Sequence, residues 1–219
     1  MAEPTLAVVR NEVDGDYEYH CDALASQFVD PVEINYPAGD RLNPADVDGV
    51  VLSGSTAGVY EAGDRPWIHD QKRLARELVD NGVPTLGVCF GHQVANAALG
   101  GTVTAEELTA RLVDVEFADD PLFAGVAPVV AATHGDVVTD PGEGMRVLAS
   151  TDYYRAFGTR HRAAPLWTVQ FHPEFTPAHR DQLAGDFGWT ETDLSFAEVN
   201  APRIFENFRA LVAERTAHG

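Results

Sequence analysis

The sequence predicts an α/β fold in which a mostly parallel sheet is covered by helices on both faces. Short apolar runs rich in β-formers alternate with longer helix-like segments through the first half of the chain. Glycine and proline mark the boundaries, as at Gly82, where the second helix is expected to stop. Hydrophobic residues make up 45% of the 219 residues, enough for the core of a single domain over residues 1–219.

Each predicted element has a local reason. The strands are short runs of valine, leucine and isoleucine, and the helices are longer segments, the last of which opens with Pro202. Residues 102–157 carry short β-like pieces broken by Gly, Pro and Asp, which favours hairpins over strand–helix–strand units. The prediction gives strands at 5–9, 31–35, 49–52, 84–88 and from 166, and helices at 19–28, 67–81, 93–99, 178–187 and 202–214.

The composition limits the classes of function. The formal net charge is −19, and nucleic-acid binding needs basic side chains that neutralise phosphates, so no nucleic-acid partner is expected. No apolar run is long enough to span a membrane, and only two cysteines are present, so we expect a cytoplasmic protein without a membrane partner. An acidic, strongly hydrated surface is typical of proteins from salt-loving organisms, where high ionic strength screens self-repulsion.

The most informative segment is Gly-Val-Cys-Phe-Gly-His-Gln at residues 87–93. Cys89 stands between two glycines, at the predicted turn from the central strand into the next helix. Such a turn exposes the thiol at the sheet edge, and the helix start behind it favours a thiolate. Gly87 and Gly91 let the backbone pass the turn without a Cβ clash. The alternative is a buried cysteine that packs as a small apolar residue; the flanking glycines favour a nucleophile.

A base for this nucleophile is expected far downstream. The apolar segment 165–171 predicts a strand that delivers His172, and Glu174 follows two residues later. In extended backbone the two side chains point to the same side, so the carboxylate can orient the imidazole toward the sulfur. Alone, His-x-Glu is typical of a solvated loop end; together with Cys89 it indicates a catalytic triad. No other histidines or carboxylates show zinc-ligand spacing, and no metal is expected.

The two motifs, Gly-x-Cys-x-Gly-His-Gln and Val-Gln-Phe-His-Pro-Glu, resemble those of the class I glutamine amidotransferases, the family with a Cys-His-Glu triad. The resemblance covers residues 6–175 and implies a flavodoxin-like, doubly wound sheet with a β-hairpin excursion, and no cofactor. It implies that Cys89 is the nucleophile, His172 the general base and acid, and Glu174 the residue that orients the imidazole.

The resemblance also implies how the substrate is held. Substrate glutamine would be bound by Gln93 and by the segment Thr133, His134 and Gly135.

The oxyanion hole is where this sequence departs from the family. The hole would consist of backbone N–H groups at Phe90 and at Gly54 and Ser55. Many relatives have two glycines and a proline in the turn after the third strand, whereas this chain has Ser53-Gly54-Ser55. A backbone N–H survives a change of side chain, but a positive φ at Ser55 would be strained.

In function, the resemblance implies an enzyme that hydrolyses the glutamine side-chain amide to glutamate and ammonia through a thioester on Cys89. Glutamine is then the small-molecule partner. The sequence shows no ATP-binding P-loop, so the acceptor chemistry is expected to belong to another polypeptide or to be missing. The resemblance implies that ammonia passes to an unknown acceptor or to a separate synthetase subunit. Two alternatives stay open: a hydrolase of γ-glutamyl peptides or conjugates with the same triad, and a catalytically silent regulatory protein on the same fold.

Overall fold

A computed structural model describes residues 3–218, so residues 1, 2 and 219 of the predicted domain lie outside the described residues. The strands are β1 Leu6–Arg10, β2 Val32–Asn35, β3 Gly49–Leu52, β4 Thr85–Val88, β5 Thr102–Asp114, β6 Glu116–Phe117, β7 Val129–Asp140, β8 Met145–Ser150, β9 Gly158–His161 and β10 Leu166–Val169. The helices are α1 Tyr19–Ala25, α2 Trp67–Asp80, α3 Phe90–Ala98, α4 Arg180–Phe187 and α5 Arg203–His218.

Eight strands form one mixed sheet in the order β2-β1-β3-β4-β10-β9-β8-β6. The pairs β2–β1, β1–β3, β3–β4 and β4–β10 are parallel, and β9, β8 and β6 continue the sheet with antiparallel pairing. The carboxyl ends of β1, β3, β4 and β10 therefore meet at one edge of the sheet. In open α/β sheets this edge is where ligands bind.

Both faces of the sheet are buried by helices. Along β1, Val8 packs into a core that includes Phe205 and Phe208 of α5, while the next residue, Val9, packs into a core with Ile68 of α2 and Val94 of α3. Successive strand residues point to opposite faces, so both sets of side chains are covered. The predicted α/β architecture with helices on both faces is confirmed.

The structure differs from the prediction in three places. β5 and β7 are long strands of 13 and 12 residues that form a separate antiparallel ribbon, because bulges accommodate the turn-forming residues within them. The strand Gly158–His161, which was not predicted, pairs with the last strand of the sheet. The helix after Cys89 begins at Phe90, three residues earlier than predicted, so it starts directly behind the thiol. Between residues 3 and 218, no helix combines the length and apolar character that a bilayer crossing needs.

Candidate active site

Cys89 occupies the sharp turn between β4 and α3. Its φ of 51° and ψ of −105° are unusual for a residue with a side chain, and such strain is concentrated at functional sites. The flanking glycines do not have positive φ; they are required by close approach. A Cβ on Gly87 would lie 2.6 Å from the carbonyl oxygen of Gly91, and one on Gly91 would overlap the carbonyl oxygen of Leu52. Glycine at both positions therefore avoids a Cβ clash, as predicted, and the backbone strain is located at Cys89.

The sulfur of Cys89 has polar neighbours on two strands. The Gln170 amide donates a hydrogen bond to Sγ at 3.6 Å, and Sγ lies 3.7 Å from the carbonyl oxygen of Thr133. Gln170 follows β10 and Thr133 belongs to β7, so the main sheet and the ribbon both contribute to the thiol's surroundings. Gln170 stands inside the motif Val-Gln-Phe-His-Pro-Glu, but sequence reasoning assigned it no role.

His172 and Glu174 are joined by a short hydrogen bond. The His172 ring donates through Nδ1 to Oε1 of the buried Glu174 at 2.6 Å, and it stacks on Phe175 with 4.6 Å between ring centroids. Burial acts to lower the pKa of His172, but the charges of Glu174 and Cys89 outweigh it and hold this pKa well above its usual range. The bond to Glu174 leaves Nε2 as the ring nitrogen available to a reacting group.

The surroundings of Gly54 show that the side chains of His172 and Cys89 face each other. A Cβ built on Gly54 would lie 3.0 Å from Cε1 of His172 and 3.5 Å from Cβ of Cys89. One point is therefore in contact range of both side chains, although the two residues are 83 positions apart in the chain. A side chain at this position would crowd the His172 ring.

The loop after β3 is held by backbone and side-chain contacts. The main-chain N–H of Asn11 donates to Oγ of Ser53 at 3.0 Å, and the Asn11 amide donates to the Ser53 carbonyl at 2.9 Å. The Ser53 carbonyl also accepts from the N–H of Gly91 at 3.1 Å, which ties this loop to the start of α3. Among the described residues other than glycine, only Asp30 and Cys89 have a positive φ. The strain considered for Ser55 is therefore absent.

Gln93 lies one turn of α3 beyond Cys89. Its side-chain amide donates to the carbonyl oxygen of Asp136 at 3.4 Å and to Oε1 of Gln170 at 3.3 Å. The His134 ring bonds to the Asp136 carbonyl through Nδ1 and to the Tyr153 hydroxyl through Nε2, both at 3.1 Å. Burial lowers the pKa of His134 to about 4, so this ring is neutral near pH 7.

These residues surround one cavity of about 430 Å³. Its lining contains the thiol and the imidazole together with acidic and aromatic side chains. The predicted site residues that line it are Ser55, Cys89, Gln93, Thr133, His134, Gly135 and His172. Glu174 is fully buried behind His172, and Gly54 and Phe90 adjoin the cavity through their contacts with Cys89 and its helix.

Sequence reasoning missed two residues of this wall, Glu12 and His20. Glu12 Oε2 and His20 Nε2 are 2.9 Å apart, and both side chains are buried. Ring nitrogens of His20 and His172 and a carboxylate oxygen of Glu174 all lie within 4.8 Å of one another. Each imidazole has one ring nitrogen within hydrogen-bond distance of a carboxylate, Glu12 for His20 and Glu174 for His172. These side chains therefore form one network of ionisable groups. The available signal was their position after β1, whose carboxyl end reaches the same edge as Cys89.

Comparison with known sequences decides the family. A profile described as "Glutamine amidotransferase class-I" matches residues 20–187. The chain belongs to the class I glutamine amidotransferase family. The amidotransferase resemblance of the two motifs is thereby confirmed.

Curated members of the family are longer than this chain. A protein named "GMP synthase [glutamine-hydrolyzing]" from Streptomyces avermitilis is 35% identical over 157 residues, which are 68% of this chain and 28% of that protein. The protein of the same name from Streptomyces coelicolor is 33% identical over 178 residues, 78% of this chain and 32% of that protein. The chain thus spans about a third or less of the length of these relatives.

Solved structures of other amidotransferases share the fold. A glutamine amidotransferase from Thermotoga maritima superposes with a TM-score of 0.70 at 19% identity over 100% of both chains. A glutamine amido transferase from Methylobacillus flagellatus gives a TM-score of 0.73 at 17% identity, over 98% of this chain and 95% of the other. At these identities the similarity establishes the fold.

Proposed function

We propose that this protein hydrolyses the side-chain amide of glutamine to glutamate and ammonia, with Cys89 as nucleophile. The observation that carries the proposal is that Cys89 and the His172–Glu174 pair meet at one cavity, at the carboxyl edge of the sheet. A thiol at a strained turn, a base within its reach and a carboxylate that orients the base are the three parts of a cysteine acyl-transfer site.

The first half of the proposed reaction is acylation. The Cys89 thiolate adds to the amide carbon, and the carbonyl π-electron pair moves onto oxygen. Backbone N–H groups at Phe90 and at Gly54 or Ser55 stabilise that oxyanion. His172, protonated on Nε2, gives its proton to the amide nitrogen, the C–N bond breaks, and ammonia leaves a thioester on the sulfur.

The second half regenerates the thiolate. The neutral His172 takes a proton from a water molecule, whose oxygen adds to the thioester carbon. The C–S bond then breaks, the sulfur leaves as a thiolate, and glutamate is released. Glu174 fixes the tautomer of His172 in both halves, because its carboxylate can only accept the hydrogen bond from Nδ1.

The remaining residues of the wall suit the amino-acid end of glutamine. Gln93 and the Thr133–Gly135 segment provide amide and backbone groups for hydrogen bonds. The carboxylates of Glu61 and Asp136 line the outer part of the cavity, where they favour an α-ammonium group. We further propose that the ammonia passes to a synthetase domain or subunit, because the curated relatives named GMP synthase are about three times longer than the matched segment.

A second candidate is the hydrolysis of γ-glutamyl peptides or conjugates. The cavity continues past Cys89 to Tyr60, Leu108 and Phe187, and its volume of about 430 Å³ lies in the range that holds ligands larger than a single amino acid. This outer space could receive a leaving group bulkier than ammonia. The chemistry at Cys89 would be the same.

Glutamate release from glutamine and, separately, from γ-glutamyl dipeptides in buffer with molar KCl distinguishes these functions. We expect release from glutamine by the wild type and none by Cys89→Ala or His172→Gln. His69→Gln, the same substitution at an exposed histidine on α2, is the matched control and should retain full activity. Release from dipeptides alone would establish the second candidate. Release from neither substrate, with Cys89 unreactive toward a thiol alkylator, would favour the silent regulatory protein.

A further inference from the structure

We propose that Glu12 and His20 are a positioning ion pair for acyl transfer: Glu12 fixes the loop that carries Gly54 and Ser55, and the His20 imidazolium places a positive charge beside the oxygen that becomes negative. This inference rests on the proposed acyl-transfer chemistry at Cys89. It gives a role to two buried charged residues that the triad mechanism does not use.

Glu12 is saturated with hydrogen bonds that hold two loops together. Its Oε1 accepts from the main-chain N–H groups of Val13 and Asp14 at 2.8 and 3.0 Å, and from the Thr56 hydroxyl at 2.5 Å. Its Oε2 accepts from the Thr56 N–H at 3.0 Å and faces His20 Nε2 at 2.9 Å. One carboxylate therefore joins the loop after β1 to the loop after β3, next to the proposed oxyanion donors.

The same contacts fix the charge of both partners. Burial acts to raise the pKa of Glu12, but hydrogen bonds from His20 and Thr56 outweigh it and lower this pKa to about 2. Burial acts to lower the pKa of His20, but its contacts with Cys21 and Glu12 raise it to about 10. A carboxylate only accepts, so Nε2 of His20 donates to Glu12. At neutral pH the pair is a carboxylate and an imidazolium.

The imidazolium lies beside the reacting groups. A Cβ on Gly54 would lie 3.3 Å from Cε1 of His20, the same point that is within contact range of His172 and Cys89. The rings of His20 and His172 have centroids 5.8 Å apart. Several titratable groups face His20. They are those of Glu12 from the loop after β1, Tyr19 and Cys21 on its own helix, Cys89 from the turn after β4, and His172 and Glu174 from the segment after β10.

The position of His20 affects how negative charge is redistributed when Cys89 attacks the amide. When Cys89 adds to the amide carbon, negative charge leaves the sulfur and collects on the carbonyl oxygen, toward the loop at Gly54 and Ser55. A fixed positive charge against that loop, in a buried site, stabilises the oxyanion more than the ground-state amide. His20 forms no covalent bond and transfers no proton in this step; it remains bonded to Glu12 throughout.

The test compares reactions at Cys89 that do and do not form an oxyanion. We would measure glutamine hydrolysis, release of nitrophenolate from p-nitrophenyl acetate, and alkylation by iodoacetamide for the wild type, His20→Gln and the exposed control His69→Gln. For His20→Gln we expect kcat and the ester acylation rate to fall about 10- to 100-fold, as for loss of part of an oxyanion hole, with KM nearly unchanged. Alkylation at a saturated carbon forms no oxyanion, so its rate should change by less than about threefold.

The outcomes separate this inference from the proposed function. If the ester reaction slows in His20→Gln but the wild type does not hydrolyse glutamine, the inference stands and the proposed function fails. If ester acylation and alkylation slow equally, His20 acts on the thiolate and the inference is overturned. Unchanged rates, or a wild type inert to both ester and glutamine, also overturn it.

A second variant tests the charge if His20→Gln does not fold. In Glu12→Gln the His20 ring loses one of the two contacts that raise its pKa, so this pKa should fall below about 10. The ester acylation rate of Glu12→Gln relative to wild type should then fall between about pH 6.5 and about pH 10, as His20 deprotonates at a lower pH in the variant. A ratio that stays flat over this range would show that Glu12 acts through loop structure alone, and would overturn the proposed role of the His20 charge.

Discussion

Replacing Gly54 by alanine tests the closeness of the catalytic groups most directly. The new Cβ would lie 3.0 Å from Cε1 of His172 and 3.3 Å from Cε1 of His20. A contact of 3.0 Å is tighter than most real Cβ contacts, so His172 must shift by a few tenths of an ångström. Misplacing a catalytic group by about 1 Å costs about a hundredfold in rate. For this smaller shift we expect kcat/KM for glutamine to fall about 3- to 10-fold, or about 0.7–1.4 kcal/mol of transition-state stabilisation.

The assay is steady-state glutamate release, with the thermal midpoint measured on the same samples. Gly185→Ala in α4 is the matched control, because a Cβ there has no atom within 4 Å and the position has no positive φ. It should retain full activity. A folded Gly54→Ala protein with wild-type kcat/KM would refute the reasoning, since it would mean that the position of His172 does not depend on the gap at Gly54.

Three further predictions follow from the charges of the molecule. Glu174→Gln should lower kcat about 10³- to 10⁴-fold, because a neutral amide no longer holds His172 in one tautomer, and single-turnover kinetics would measure the loss. The Glu12–His20 pair should stabilise the fold most between about pH 4.5 and about pH 6.5. The pKa of Glu12 is lowered to about 2, so its contribution to the free energy of unfolding is lost as the pH falls toward 2. The pKa of His20 is raised to about 10, so its contribution is lost as the pH rises toward 10. Urea unfolding of wild type and Glu12→Gln from pH 3 to pH 10 would check this, and a constant difference would contradict it. Because the formal charge is −19, molar KCl should raise the thermal midpoint by roughly 4 °C or more, and equal midpoints in dilute buffer would remove the salt-loving interpretation of the acidic surface.

The sequence by itself determined the order of the elements and the motif chemistry. The alternation of strand-like and helix-like segments predicted the parallel sheet, because hydrophobic periodicity depends only on residues near one another in the chain and is visible in one sequence. Gly-x-Cys-x-Gly marked the turn after β4, since only glycine avoids the carbonyl groups near positions 87 and 91. His172 and Glu174 were predicted to act together on the expectation of extended backbone. They are joined at 2.6 Å, but across a turn in which the Phe175 N–H donates to the His172 carbonyl at 3.2 Å.

The sequence could not place groups that depend on long-range pairing. Strands β5 and β7 were predicted as several short pieces. A bulge is defined by the pairing of two strands, so in the sequence alone the residues at a bulge resemble a turn. The loop that carries Ser55, which has no positive φ, is bonded to Asn11 and Glu12, more than 40 residues earlier. The charge of His20 was equally hidden, because it depends on the contacts of the ring with Cys21 and Glu12, which outweigh the effect of burial.

What only the tertiary structure decided is the assembly of the proposed reaction centre from separate segments. The thiol follows β4, the imidazole follows β10, and the Glu12–His20 pair follows β1. They meet because parallel strands β1, β3, β4 and β10 end at the same edge of the sheet. Motifs record which chemical groups are present, whereas strand order and burial determine which of them come into contact and which charges they carry.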